Sequence, residues 1–463
     1  MNVRLSLALV LAATTPALAQ QAPRPAPVTA QAADDSFDKD LDALFTASGL
    51  TADQAASRAA KASPSVRRKA AEVEASLAQV QAAELARVPH LEAKAGYTRL
   101  SPLDPLSFGP GGPAFEFPVN VYATNATIGI PLSEYVLRFP KLIDAAKLGV
   151  EAAKTGERAS EVNASQEARL SYYELVRARL QVFVAERQLA QVQTVLKQVR
   201  ALAEAQRVSK ADLMRVESNE AQAEQVLNQL RNVAALREEQ LQLLMGADQP
   251  ITLGEDPRTD VNAPGAGELD DLAKKATSQR LEFRAIDLGI QAREKQRESE
   301  KASTYPHLSA FASADYANPN QRIFPQTAEW NFTWSAGVQL TWTLNDALQA
   351  RATDRRITAE TNELRADREN LARGTRIELL AAQQAVQLAQ MSLQTSQKGL
   401  AAAEEGYRVR RELLNAERAT AVELVDAETD LTRARIAALN ARVDLHVAMA
   451  QLAHALGEDV AKK

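Results

Sequence analysis

The sequence predicts a mainly α-helical chain with a membrane β-barrel contribution, in which long coiled-coil helices carry four β-strands. Three observations predict it: a unit of about 200 residues is stated twice, each copy holds a very long proline-free stretch, and within each copy the apolar period switches from helical to strict alternation. The duplication shows first in Val88, Pro89, His90 and Leu91, answered by Tyr305, Pro306, His307 and Leu308, so that Pro306 lies 217 residues after Pro89. Residues 209–218 match residues 420–429 in character at an offset of 211, and both copies finish on a glycine, Gly246 and Gly457.

Before the repeats, residues 1–19 have the composition of a signal peptide: Arg4, an apolar run over 5–13, and Ala17, Leu18 and Ala19 as a cleavage signal. Residues 20–44 are expected to be a flexible leader, because the proline, alanine and glutamine at its start bury no core. The first repeat is placed at 45–246, a linker at 247–268, the second repeat at 269–458 and a tail at 459–463. No stretch reaches the roughly 18 consecutive apolar residues of a membrane helix, so a membrane would be entered by strands.

From Pro140 to Arg207 no proline interrupts the chain, and a helix of that length would rise roughly 100 Å. The second copy runs similarly from near Asp346 to Glu417. Leu189, Val192, Leu196, Val199, Ala203 and Gln206 step by three and four, as do Leu213, Val216, Glu220, Ala223, Leu227, Leu230 and Ala234 beyond a turn. Seams of this kind predict coiled-coil packing rather than a compact globule.

The strands fall in hairpins at 91–132 and 307–344. Phe332, Trp334, Ala336, Val338, Leu340, Trp342 and Leu344 alternate with Asn331, Thr333, Ser335, Gly337, Gln339, Thr341 and Thr343, giving an apolar face suited to lipid and a polar one suited to water. Of 22 aromatic residues, 12 lie in these two short regions, which favours interfacial belts formed by Tyr97, Tyr122, Tyr316, Trp330, Phe332, Trp334 and Trp342. Four strands cannot close a barrel, since the smallest membrane barrels have about eight. Several copies must therefore join; two would give eight strands and three twelve, and a bore wide enough for solutes argues for at least three.

Composition excludes other classes. Without a cysteine there is no disulfide scaffold, thiolate metal site, thiol nucleophile or lipidated N-terminal cysteine. The 54 basic and 59 acidic residues are interspersed, which argues against nucleic acid as a partner. His90, His307, His446 and His454 offer no ligand cluster, so neither metal nor cofactor is expected. The glycines at 109–112 lack the lysine and hydroxyl ending of a phosphate loop and suggest a turn, and no catalytic spacing of serine, histidine and acid is present, so an enzyme is not expected.

In this order, a signal peptide and a duplicated unit of helix, proline and strand hairpin, long helix, tight turn with an S/T-x-x-D/E-L step and returning helix, the chain resembles the TolC-like outer-membrane efflux family over roughly residues 45–458. The resemblance implies a homotrimer with a twelve-stranded barrel in outer-membrane lipid of a Gram-negative bacterium and a long periplasmic helical barrel. It implies a passive exit duct of a tripartite efflux or type I secretion system, opened when a periplasmic adaptor (membrane fusion) protein docks and energised by an inner-membrane pump. A soluble periplasmic coiled-coil adaptor or structural protein is the alternative, but adaptors have one hairpin and a β-rich lipoyl-like module.

The resemblance makes the turns periplasmic tips, with Arg207, Val208, Ser209, Arg418, Ala419 and Thr420 meeting the adaptor. Ser209 and Thr420 also suit helix N-caps, with Asp212 and Glu423 three positions on. Glu423 and Asp426 match the family's acidic pair at the entrance constriction, where three copies would set six carboxylates around one axis; solvated helix acids are the plainer reading. In the family a tyrosine followed closely by a glycine helps latch the closed mouth. Here Tyr407 lacks that glycine, Arg410, Arg411, Glu412, Leu413 and Leu414 follow it, and the spacing to Glu423 is about seven residues longer, so no latch is assigned.

Overall fold

A computed structural model describes residues 37–461 except 38, 105, 108, 110–113, 116, 260–266, 325 and 417. The expected signal peptide, most of the leader, the glycine-rich turn beyond Gly109, part of the linker and the last two tail residues lie outside the described residues. The chain divides into a unit ending at Leu44 and a unit from Phe45 to Lys463, and all elements named below belong to the second.

Strand β1 (Phe45–Leu50) leads to α1 (Ala52–Ala62) and α2 (Pro64–Leu85). Thr51 and Gln54 form a reciprocal capping box at the start of α1, and Pro64 starts α2 afresh. Then come β2 (His90–Arg99), the short β3 (Leu106–Ser107) and β4 (Ala114–Phe115), and β5 (Asn120–Ile130). A helical turn, α3 (Glu134–Leu137), precedes α4 (Phe139–Glu204), which is 66 residues long and so rises about 99 Å. Its antiparallel return is α5 (Lys210–Met245). The second repeat supplies α6 (Leu269–Gln279), α7 (Leu281–Lys301), β6 (His307–Asn318), β7 (Asn331–Thr341), the 72-residue α8 (Leu344–Asn415) and α9 (Ala421–Leu456).

The long helices stop short of the sequence expectation, at Glu204 rather than Arg207 and at Asn415 rather than Glu417. The cause in the first copy is a left-handed residue, Gln206 at φ 59°, after which Arg207 N donates to Leu202 O at 2.8 Å and closes the helix end. Arg418 N donates to Leu413 O at 2.8 Å in the second copy. Both returning helices end on left-handed glycines, Gly246 and Gly457.

Strands β2, β5, β6 and β7 form one antiparallel sheet in that order, and β2 and β7 are its two edges. Halfway along the helices, the linker is tied to α4. Glu255 accepts from Tyr173 Oη at 2.9 Å and from Ala52 N at 3.1 Å, while Glu255 N donates to Tyr172 Oη at 3.2 Å. Here Gly49 and Gly254 cross with no room for side chains, since a Cβ on either would stand 2.3 Å from the other segment's carbonyl oxygen. The apolar seams foreseen along α4 and α5 are buried at Val192, Leu196, Val199, Val216, Ala223 and Leu227. Among the described residues no helix is long and apolar enough to cross a membrane.

Candidate functional site

The sheet has two unlike faces, with Phe311 the large apolar side chain on the mainly polar one. Register places Leu91, Ile128, Ala312 and Ala336 on one face and Glu92, Thr127, Ser313 and Ser335 on the other. The apolar face is bare: Trp334 is 68% exposed, Val338 65% and Leu340 69%. Its opposite side is tied by polar side chains, with Asn125 Nδ2 donating to Asp315 Oδ1 at 2.6 Å, Thr127 Oγ1 to Asn125 Oδ1 at 2.9 Å, and the Ser313 and Ser335 hydroxyls 2.7 Å apart. In water the bare face would be an aggregation surface; against lipid it is satisfied.

Aromatic rings gather at the loop end of this sheet. Tyr97 and Tyr122 lie 5.0 Å apart by ring centroid, Tyr122 and Trp330 6.2 Å, and Tyr316 stacks on Trp330 at 4.9 Å. Phe332 and Trp334 follow on the same face, whereas Trp342 sits at the helix end, its Nε1 donating to Thr304 O at 3.4 Å. The ten steps from Phe332 to Trp342 span roughly 33 Å along a strand, or about 25 Å of height when tilted by about 40°, the depth of an apolar barrel band.

At the far end of the long helices are the two turns. Ser209 Oγ accepts from Asp212 N at 3.1 Å and bonds Asp212 Oδ2 at 2.7 Å, a local cap. Thr420 and Glu423 form a full capping box, with Glu423 N donating to Thr420 Oγ1 and Thr420 N to Glu423 Oε2, both at 3.2 Å. Arg207, Ser209, Arg418 and Thr420 are exposed, Ala419 is half-buried, and Val208 turns inward against the apolar cluster of Val195, Leu196, Val199, Val216, Leu424 and Val425. Glu423 meets Arg410 at 3.2 Å, and Asp426 meets Arg215 of the first hairpin at 3.8 Å. The two acids thus stand near the tip, each beside an arginine that the sequence reading did not pair with it.

That reading also passed over a polar contact buried behind the tip. Gln191 Nε2 of α4 donates to Tyr407 Oη of α8 at 2.6 Å, and Tyr407 faces Glu428 of α9, which is only 7% exposed. Burial pushes the Glu428 carboxyl above its ordinary value, against the lowering effects of Arg435, the Tyr407 hydroxyl and Arg411. Tyr407 is pushed up to about 12, again chiefly by burial and next by Glu428. The available signal was Glu428 four residues after Leu424 in the seam, because an acid at a seam position implies a specific buried partner. Among the described residues no group of three or more metal-ligating side chains could hold an ion.

The pattern of one family, described as outer membrane efflux protein, matches residues 55–247 and 272–458. No curated protein matches the chain. Among solved structures, CusC is 16% identical with a TM-score of 0.73, covering 89% of this chain and 93% of its own. CmeC of Campylobacter jejuni is 12% identical with a TM-score of 0.73, covering 95% and 90%. The open state of MtrE from Neisseria gonorrhoeae is 17% identical with a TM-score of 0.71, covering 88% of each. At these identities the structural likeness speaks for the fold.

Proposed function

This chain belongs to the outer membrane efflux protein family, and from that membership and the geometry above we propose that three copies close a twelve-stranded barrel in the outer membrane of a Gram-negative bacterium, continued by a periplasmic tunnel of helices. The observation that carries this reading is the four-stranded sheet with one bare apolar face, one polar face and two unpaired edges. Unpaired edges in hydrocarbon leave backbone groups unsatisfied, and edge-to-edge closure of several copies removes them. Three copies leave a water-filled bore lined by the polar face.

In this reading the channel is passive. An inner-membrane pump supplies the energy and a periplasmic adaptor docks on the exposed tip residues Arg207, Ser209, Arg418 and Thr420, with Val208 and Ala419 supporting their turns. Efflux of small molecules and type I secretion of polypeptides both fit such a duct. Glu423 and Asp426 ring the entrance; the pair Arg215 with Asp426 holds the two tips together until docking parts them, while Arg410 with Glu423 braces the second hairpin from within. Both pairs are substantially exposed, so each is weak and readily exchanged for an adaptor contact.

The Glu423→Ala, Asp426→Ala double variant in planar bilayers is expected to show larger single-channel conductance and weaker cation selectivity. Glu423→Gln with Asp426→Asn, which removes charge while keeping shape, should reproduce the selectivity change. Conductance and selectivity unaltered in both would count against an acidic entrance.

A further inference from the structure

The loop between β6 and β7 does not simply cap the hairpin. Asn320, just beyond β6, is 3% exposed, and its Nδ2 donates to Asn331 O at 3.0 Å and to Thr333 Oγ1 at 3.2 Å. Thr333 is on the polar face, opposite Asp315 in the ladder, so Asn320 reaches back along that face rather than outward. Burial agrees independently. Ala317 on the polar face is 9% exposed, while Tyr316 and Phe332 on the apolar face are 48% and 63% exposed.

The fold of the loop is fixed by further bonds. Arg322 N donates to Asn320 Oδ1 at 3.0 Å, Ile323 N to Asn320 O at 3.2 Å, and Arg322 Nη1 to Trp334 O at 2.7 Å. All the polar capacity of the Asn320 amide oxygen and nitrogen that these contacts use is spent inside the chain, which holds the loop as a bound strap.

We propose that residues 319–323 form a strap on the inner wall of the extracellular mouth, so that three copies set a second restriction, at the outlet, that sorts solutes by size. This rests on the trimeric channel reading above. The strap is bonded to Thr333, the ladder partner of Asp315, whose carboxylate is held by Asn125, so the narrowed outlet is polar; with the strap bound it passes small hydrated solutes and slows bulky ones in either direction, and a polypeptide would leave only with the strap displaced.

The chain has no cysteine, so a single thiol reports without background. Ser335→Cys, deeper on the polar face, would be labelled from outside intact cells with a small cationic methanethiosulfonate and, separately, with a long polyethylene glycol maleimide. Asn320→Ala and Arg322→Ala are each expected to speed the bulky reagent about tenfold while leaving the small one unchanged, because access limits the reaction. An equal bulky-reagent rate with and without the strap substitutions would overturn the proposal. Should Asn320→Ala fail to assemble, Arg322→Ala decides alone. Heat-sensitive trimer bands on gels keep the two readings apart: their absence in the parent overturns the channel reading, whereas their presence with unchanged labelling overturns only the strap.

Discussion

The two longest helices come from one duplicated unit and are used in opposite ways. Helix α4, of 66 residues, buries 22 of them, because it lies against α2, α5, α7 and α9. Helix α8, of 72 residues, buries eight among those described, from Ala350 to Ala389, and leaves Ile377 70%, Leu388 62% and Met391 59% exposed. The return helix α5 shows a matching bare stripe at Val226, Val233, Leu236 and Leu243. The two copies share a sequence pattern but not their burial, and in the trimer proposed above the bare stripes would find their neighbours in another copy. The stripe on α8 lies on the helix that the unpaired strand β7 runs directly into.

The sharpest way to break this comparison is to charge the bare stripe. Leu388→Glu is expected to abolish the heat-sensitive trimer while leaving helical circular dichroism intact, because a carboxylate would be trapped between subunits. Leu379→Ala, at a side chain already fully buried within the chain, should instead cost about 2–5 kcal/mol of stability in every state. A trimer indifferent to Leu388→Glu would mean that α8 faces water.

A smaller effect distinguishes the hairpins by pH. Glu428 is held above the ordinary value of 4.5 by burial, so it favours the packed tip fully below that value and loses this contribution as pH rises through the raised one. Opening events in bilayers should become more frequent as pH rises toward neutrality. Glu428→Gln, which keeps a partner for Tyr407 but cannot ionise, should flatten that part of the pH profile, leaving whatever Glu423 and Asp426 contribute. An unchanged profile would place Glu428 outside the opening motion.

The smallest effect compares the caps. Thr420→Ala removes one side of a reciprocal box and Ser209→Ala a single backbone bond, each worth about 1 kcal/mol, with Thr420→Ala the larger. Thermal melting of both variants measures the difference; a greater loss at Ser209 would contradict the box's added value.

Much of this architecture is legible in the sequence because it rests on local periods. The alternation from Phe332 to Trp342 fixes which side chains share a face, and the steps from Val192 to Val199 fix which side of α4 is buried, whatever the chain packs against. What the sequence hides depends on distant partners. Leu379 and Leu388 are the same residue type on one helix, yet the first is buried by α9 and the second is bare, which only the packing of α8 reveals. Tyr407 is similarly opaque: its partner Gln191 is 216 residues away, and its setting comes from two hairpins meeting. The inward path of Asn320 depends on Thr333 lying beneath it, and the early end of α4 on a left-handed Gln206, a residue type with no marked preference for that conformation.

The most direct test of the account is the mass of the complex extracted from outer membranes in mild detergent, read by native mass spectrometry. Three copies of the chain per particle are predicted, falling to one for Leu388→Glu. A single folded chain, stable without detergent and with Trp334 and Trp342 shielded from aqueous quencher, would contradict it.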